Sequence, residues 1–150
     1  GSRTNWKKED ERSPWWKAFY KFPQIKDFCR ETGNVLFNEN LGCQDMKYGL
    51  DGFSLMAFDV YDPKTNMYLD VYDAINLCNK YDIPFVPVVA EIPFNLEKVF
   101  ELSEGNSLVS GANHIREGVV VRTLKERYER KLGRVILKSV GIGYLSRKEK

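Results

Sequence analysis

Two short apolar runs near the C-terminus carry charges that a strand interior does not ordinarily keep. The first is Glu117-Gly118-Val119-Val120-Val121-Arg122. The second, Arg134-Val135-Ile136-Leu137-Lys138-Ser139-Val140, places Lys138 sixteen residues beyond Arg122. β-Branched residues suit a pleated, half-buried surface, and a charge set among them needs a partner or a ligand. Both runs therefore read as strands, and a carboxylate and an ammonium facing one cleft suit a phosphate and its metal ion. In an extended strand Glu117, Val119 and Val121 share one face and Gly118, Val120 and Arg122 the other, so one charge is expected on the core face. A buried ion pair with no chemistry is the competing reading.

With 150 residues and 43% hydrophobic content, the chain can bury one core, so we expect one domain or most of one. No apolar run approaches the roughly 18–20 residues of a membrane span, and the polar N-terminus is no signal peptide. The expectation is a soluble cytoplasmic monomer, of a cell or of a phage. Cys29, Cys43 and Cys78 form no Cys-x-x-Cys pair and His114 is the sole histidine, which argues against a zinc site or a disulfide framework. Charge is segregated: residues 1–30 hold eight Lys/Arg against four Asp/Glu, 31–115 four against thirteen, and 116–150 eleven against four. Basic ends that met in space would offer a surface to a polyanion.

In chain order, Ser13-Pro14 opens a short aromatic helix through Trp15, Trp16, Phe19 and Tyr20 that Pro23 stops. Ile25 and Phe28 suggest a further turn or two, closed by Gly33. A strand follows from Asn34 to near Glu39. After a loop with three glycines, Phe53–Asp62 is a strand, Pro63–Asn66 a turn, and Met67–Leu69 the return. Asp70 or Asp73 caps a helix that ends at Pro84. Phe85–Ala90 reads as an edge strand because of Pro87. Asn95 caps a helix closed by Gly105, and Ser107–Asn113 is a loop holding a solvated His114 just beyond it. Lys125–Lys131 is a charged loop or short helix joining the two closing strands, and a basic tail follows Gly141.

Taken in order, these stretches resemble the nucleotidyltransferase domain of ATP-dependent RNA ligases, in the superfamily that also holds DNA ligases and mRNA capping enzymes. Ser2-Arg3-Thr4 resembles the motif downstream of the family's nucleophile, and Phe37-Asn38-Glu39 the strand ending in glutamate. Phe53–Asp62 resembles the aromatic strand, and Glu117–Arg122 and Arg134–Leu145 the last two motifs. The resemblance implies an α+β fold of antiparallel sheets flanked by helices, an ATP-grasp-like ligase domain over residues 1–150. The family's Lys-x-Asp-Gly, whose lysine attacks the α-phosphate of ATP, is absent. In Lys47-Tyr48-Gly49-Leu50-Asp51-Gly52 the lysine sits two residues too early, and the segment follows Glu39, whereas the nucleophile precedes Ser2 in the family. The domain is therefore expected to be N-terminally incomplete, beginning just past the nucleophile.

The resemblance also implies roles. Lys138 contacts the α-phosphate of ATP and of AMP in the adenylate, and Glu117 lies by the catalytic lysine and a Mg2+ or Mn2+ ion. Glu39 accepts from the ribose hydroxyls, Phe58 stacks on adenine with Phe53 as the alternative, and Arg3 reaches the phosphate or the RNA end. The parent protein would join RNA 3′-hydroxyl and 5′-phosphate ends through lysyl-AMP and RNA-adenylate intermediates, as in RNA repair. Lys7 and Lys8, with Arg127, Arg130 and Lys131 on the connector, are candidate RNA contacts, while Trp15 and Trp16 are expected to anchor their helix. Three alternatives stand beside this reading: a nucleophile-less module that binds nucleotide or RNA, a DNA ligase or capping branch of the superfamily, and a structural domain with a buried Glu117–Lys138 pair.

Overall fold

Pro14 occupies the first turn of α1 (Pro14–Tyr20), where a missing N–H is no loss, and Ser13 precedes it in extended conformation. The computed structural model describes residues 5, 7–42, 48–49 and 52–147. Three residues on, α2 (Gln24–Thr32) runs longer than the turn or two expected from its apolar residues. Gly33 ends it in the left-handed region (φ 73°), where its N–H reaches the Cys29 carbonyl at 3.0 Å. Ile25 and Phe28 are the buried face of α2, and with Ala18 of α1 they pack on a sheet.

That sheet has the order β1 (Val35–Leu41), β2 (Ser54–Asp62), β3 (Met67–Tyr68), all antiparallel. Leu55, Ala57 and Val60 of β2 join the core with Ala74 and Cys78 of α3 (Val71–Lys80) and with Ile83. Positions 55, 57 and 60 share a face only because the alternation breaks. Asn38 pairs with Ala57 and Phe37 with Asp59, so Phe58 is an extra, unpaired residue, a β-bulge. Glu39, opposite Met56, and Phe37, opposite Asp59, lie on the face away from the helices.

A second layer is the ribbon of β4 (Gly118–Arg122) and β7 (Ile136–Val140), with Val120 opposite Lys138. It is backed by α4 (Leu96–Ser103), whose cap is the expected one: the Asn95 side chain accepts from the Lys98 N–H at 2.9 Å. Ser103 donates to the Val99 carbonyl and meets the Ser139 hydroxyl at 2.6 Å, tying helix to ribbon.

Four buried charges join the layers. Asp59, 2% exposed, receives Arg122 through Oδ1 at 3.3 Å and Arg134 through Oδ2. Arg134 also holds Glu126 twice, at 2.7 and 2.8 Å, and its guanidinium lies 3.7 Å from the centre of the Tyr68 ring. Burial works against the charge of Arg134, but the bonds to Glu126 and Asp59 outweigh it and hold the pKa above the ordinary guanidinium value.

The antiparallel, helix-flanked α+β arrangement expected from the sequence is present, with four corrections. Phe85–Ala90 is no strand; Phe85 makes a single parallel bridge to Ala57, and Pro87 has no N–H to extend it. The connector is neither loop nor helix but a hairpin of β5 (Tyr128–Glu129) and β6 (Gly133–Arg134), its turn closed by the Glu129 carboxylate on the Lys131 and Leu132 amides. Gly141 is followed by α5 (Ile142–Arg147), unexpected between glycines; the Glu104 carboxylate, remote in sequence, accepts from Ile142 N–H at 2.6 Å and Gly143 N–H at 3.3 Å. Finally, the charge of the β4 run that enters the interior is Arg122, only 14% exposed, whereas Glu117 is 42% exposed.

Replacing Asp59 with alanine strands two buried guanidinium groups. Stability should fall by about 3–5 kcal/mol, the range for breaking a buried ion pair on one side. Urea unfolding of Asp59→Ala against the parent checks this; a loss below about 1 kcal/mol contradicts the bridging role of the cluster.

Candidate functional site

Lys138 lies opposite Val120 on the ribbon, and its ammonium meets Glu117, the residue just before β4. A Cβ at residue 118 (φ 157°) would sit 1.9 Å from the Ser139 carbonyl oxygen, so only glycine fits this close pairing. The Glu117 carbonyl is held by the Gly141 N–H at 2.9 Å, and the side chain reaches across to place Oε1 2.7 Å from Lys138 Nζ. The two side chains are 42% and 57% exposed. A pair this open contributes about 0–1 kcal/mol. Folding hardly needs it, and both groups remain accessible to a ligand. The buried pair considered from the sequence is thus not what the fold contains.

Tyr48 is half-buried. Burial raises the pKa of its phenol first, and the carboxylates of Glu39 and Glu117, with Tyr144, raise it further. Glu39 and Glu117, one from each layer, therefore lie within electrostatic reach of one hydroxyl. The Tyr48 ring stands edge-on to His114, centroids 4.6 Å apart. His114 is half-buried rather than solvated, with Nδ1 2.8 Å from the Ile115 carbonyl and Nε2 buried. Sequence reading passed over Tyr48; its placement in a glycine-rich loop was the only available signal.

Phe58 sits at the bulge, 38% exposed, its ring 6.2 Å from that of Phe37, two residues from Glu39 on the same strand face. Phe53, the alternative, packs against the helical core, with Lys17 5.8 Å above it. The geometry thus favours Phe58 as the accessible ring. Arg3, Trp6, Cys43, Lys47, Leu50 and Asp51 lie outside the described residues. Lys7 and Lys8 are exposed in the stretch before α1, where the Lys8 carbonyl accepts from Trp16 Nε1 at 2.5 Å. Arg127, Arg130 and Lys131 are exposed on and beside the β5–β6 hairpin. Trp16 packs on Phe19 and Tyr20, in keeping with an anchoring role, whereas Trp15 is 42% exposed.

Among the described residues no three His, Cys, Asp or Glu side chains cluster as a metal cage. Glu117 and Glu39 carry oxygen donors of the hardness that magnesium or manganese takes. Among the same residues Cys29 and Cys78 are free thiols, that of Cys78 pushed up to about 11 by burial, and no helix is long and apolar enough to cross a membrane.

The family model described as RNA ligase matches residues 2–140. Among solved structures, an RNA ligase of Naegleria gruberi with pyrophosphate superposes with a TM-score of 0.75 at 21% identity, covering 95% of this chain and 43% of that one. A lysine-to-alanine mutant of that protein with ATP and manganese gives 0.77 at 22%, covering 95% and 42%. A glutamate-to-alanine mutant with AMP and manganese gives 0.77 at 21%, covering 95% and 43%. At these identities the likeness is one of fold, and the chain spans less than half the length of the proteins it matches. No curated protein sequence matches it.

Alkaline absorbance titration checks the convergence on Tyr48. The difference between the parent and Tyr48→Phe isolates that phenol, which should ionise above the ordinary tyrosine value of about 10. Glu117→Gln and Glu39→Gln should each lower the midpoint, since removing a carboxylate removes repulsion of the phenolate. A midpoint indifferent to both substitutions means the two carboxylates do not share a site.

Proposed function

The chain belongs to the RNA ligase family, and on that footing we propose that it is the nucleotide-holding part of an ATP-dependent RNA ligase. The observation that carries the proposal is the solvent-open Glu117–Lys138 pair at 2.7 Å, and the field that Glu39 and Glu117 together exert on the Tyr48 phenol supports it. ATP is the substrate. Phe58 receives the adenine face, Glu39 accepts from the ribose hydroxyls, and Lys138 donates to the α-phosphate, releasing Glu117 to hold Mg2+ or Mn2+. The metal, when bound, neutralises phosphate charge. Arg3 adds a further phosphate contact.

Phosphoryl transfer depends mainly on positioning and charge neutralisation, and these residues supply both. The transfer of AMP to an RNA 5′-phosphate and sealing by a 3′-hydroxyl is the activity we assign to the parent protein, a cytoplasmic monomer of a cell or a phage. RNA repair is the process this would serve. The exposed cations Lys7, Lys8, Arg127, Arg130 and Lys131 are its backbone contacts, which makes RNA binding salt-dependent. The family match favours RNA over the DNA ligase or capping branch. The absence of Lys-x-Asp-Gly from the 150 residues favours one second reading, a module that binds nucleotide without forming the lysyl adenylate.

Two outcomes are expected. Calorimetric titration with ATP and magnesium should show binding that Lys138→Ala weakens by about tenfold or more, the loss of one charge-assisted hydrogen bond. Thermal unfolding of that variant should move little, because the pair it breaks is exposed. Equal ATP affinity in parent and variant would sink the assignment of Lys138. Incubation with α-labelled ATP and magnesium should leave no acid-stable, lysine-linked label on this chain; a labelled band would contradict the absence of a nucleophile.

A further inference from the structure

The bulge that lifts Phe58 out of register leaves its backbone without a ladder partner, and the Phe58 carbonyl is taken instead by Arg122 Nη1 at 3.3 Å. The same guanidinium holds Asp59 Oδ1 at 3.3 Å through both Nη atoms, reaches the Leu69 carbonyl at 3.5 Å and meets Glu126 Oε2 at 3.5 Å. Asp59 Oδ1 in turn accepts from the Val60 N–H at 3.2 Å. Phe58, the bulged residue, and Asp59 after it are thus both pinned by one side chain of β4.

A second route reaches the Phe58 ring. Arg134 covers the Tyr68 ring at 3.7 Å, Tyr68 packs on Phe37 with centroids 5.6 Å apart, and Phe37 supports Phe58 at 6.2 Å. Arg134 and Arg122 are themselves joined through Asp59 and Glu126. Backbone and ring of Phe58 are therefore held by the same four buried charges, one of which stands on the strand that Glu117 leads into.

We propose that Arg122 is a positioning residue: it clamps the Phe58 bulge and so fixes the base platform at a set distance from the phosphate-facing Glu117 and Lys138. Its guanidinium is engaged by Phe58, Asp59, Leu69 and Glu126, so it acts through the bulge. Five residue steps of extended chain lead from it to Glu117, about 16 Å at roughly 3.3 Å per residue, so β4 is a ruler between the base end and the phosphate end of the site. A guanidinium is needed because two planar N–H edges must serve the Phe58 carbonyl and the Asp59 carboxylate at once. A lysine ammonium keeps the charge but not that fork.

The inference rests on Phe58 being the base platform, and the test separates the two. Affinities for ATP and for inorganic tripolyphosphate, both with magnesium, are measured for the parent, Arg122→Lys, Phe58→Ala and Phe37→Leu. Arg122→Lys should weaken ATP about tenfold and tripolyphosphate less than twofold, because the loss falls on the base end. Phe37→Leu, which loosens the ring without touching a charge, should show the same selectivity even where Arg122→Lys folds poorly. If Phe58→Ala leaves ATP affinity intact, the platform reading fails. If Phe58→Ala is selective and Arg122→Lys weakens both ligands equally or neither, the clamp is overturned and the platform stands. Amide hydrogen exchange in the ligand-free protein gives an independent readout: Arg122→Lys should speed exchange at residues 58–60 at least tenfold relative to 35–37, and equal rates overturn the clamp.

Discussion

Asp59 is the point on which the two layers depend. A charge this deeply buried would be strongly unfavourable alone, and two guanidinium groups arriving from a different part of the chain pair with it. Arg122 comes from β4 and Arg134 from β6, the second strand of the hairpin that separates the closing strands. Glu126 balances the second arginine, so four charges neutralise pairwise. Such a cluster adds little net stability compared with apolar packing, but it is demanding in geometry. It specifies how the ribbon sits on the sheet.

That specification matters because the candidate site is divided between the layers. Glu39 and Phe58 belong to the sheet, Glu117 and Lys138 to the ribbon. Neither half holds a nucleotide's base and phosphate by itself. The stability of the fold is concentrated in the helical core around Phe28, Leu55 and Val60, away from this seam. The seam is left polar and partly open, with Lys138 and Glu117 accessible and of small energetic consequence to folding. A site built this way can be altered at its exposed ends without unfolding the chain, whereas its buried joint tolerates little.

Local chemistry explains which expectations succeeded. The strands at β2 and β4, the helix capped by Asn95 and the end of α2 at Gly33 follow from side-chain periodicity and capping, which neighbouring residues decide. The errors share a different cause. The hairpin in the connector depends on Glu129 closing its own turn and on Arg134 being drawn to Asp59. Helix α5 depends on Glu104, thirty-eight residues earlier, supplying the cap that its glycines do not. Phe85 stops after one bridge because its proline neighbours cannot continue a ladder.

The sequence by itself determined the family, the α+β class and the identity of the charges worth following, Glu117 and Lys138, because an ion in a β-branched run is legible without coordinates. It also pointed to Glu39 and Phe58 through the order of motifs. Tertiary structure decided what those charges face. The close approach of Gly118 to β7 required a residue without a Cβ, bringing Tyr48 within the field of Glu39 and Glu117 required both layers, and the burial of Arg122 required Asp59 sixty-three residues away. The physical reason is range. Periodicity and capping act over a few residues of chain, whereas charge neutralisation and close backbone approach act through space and become visible only when the layers meet.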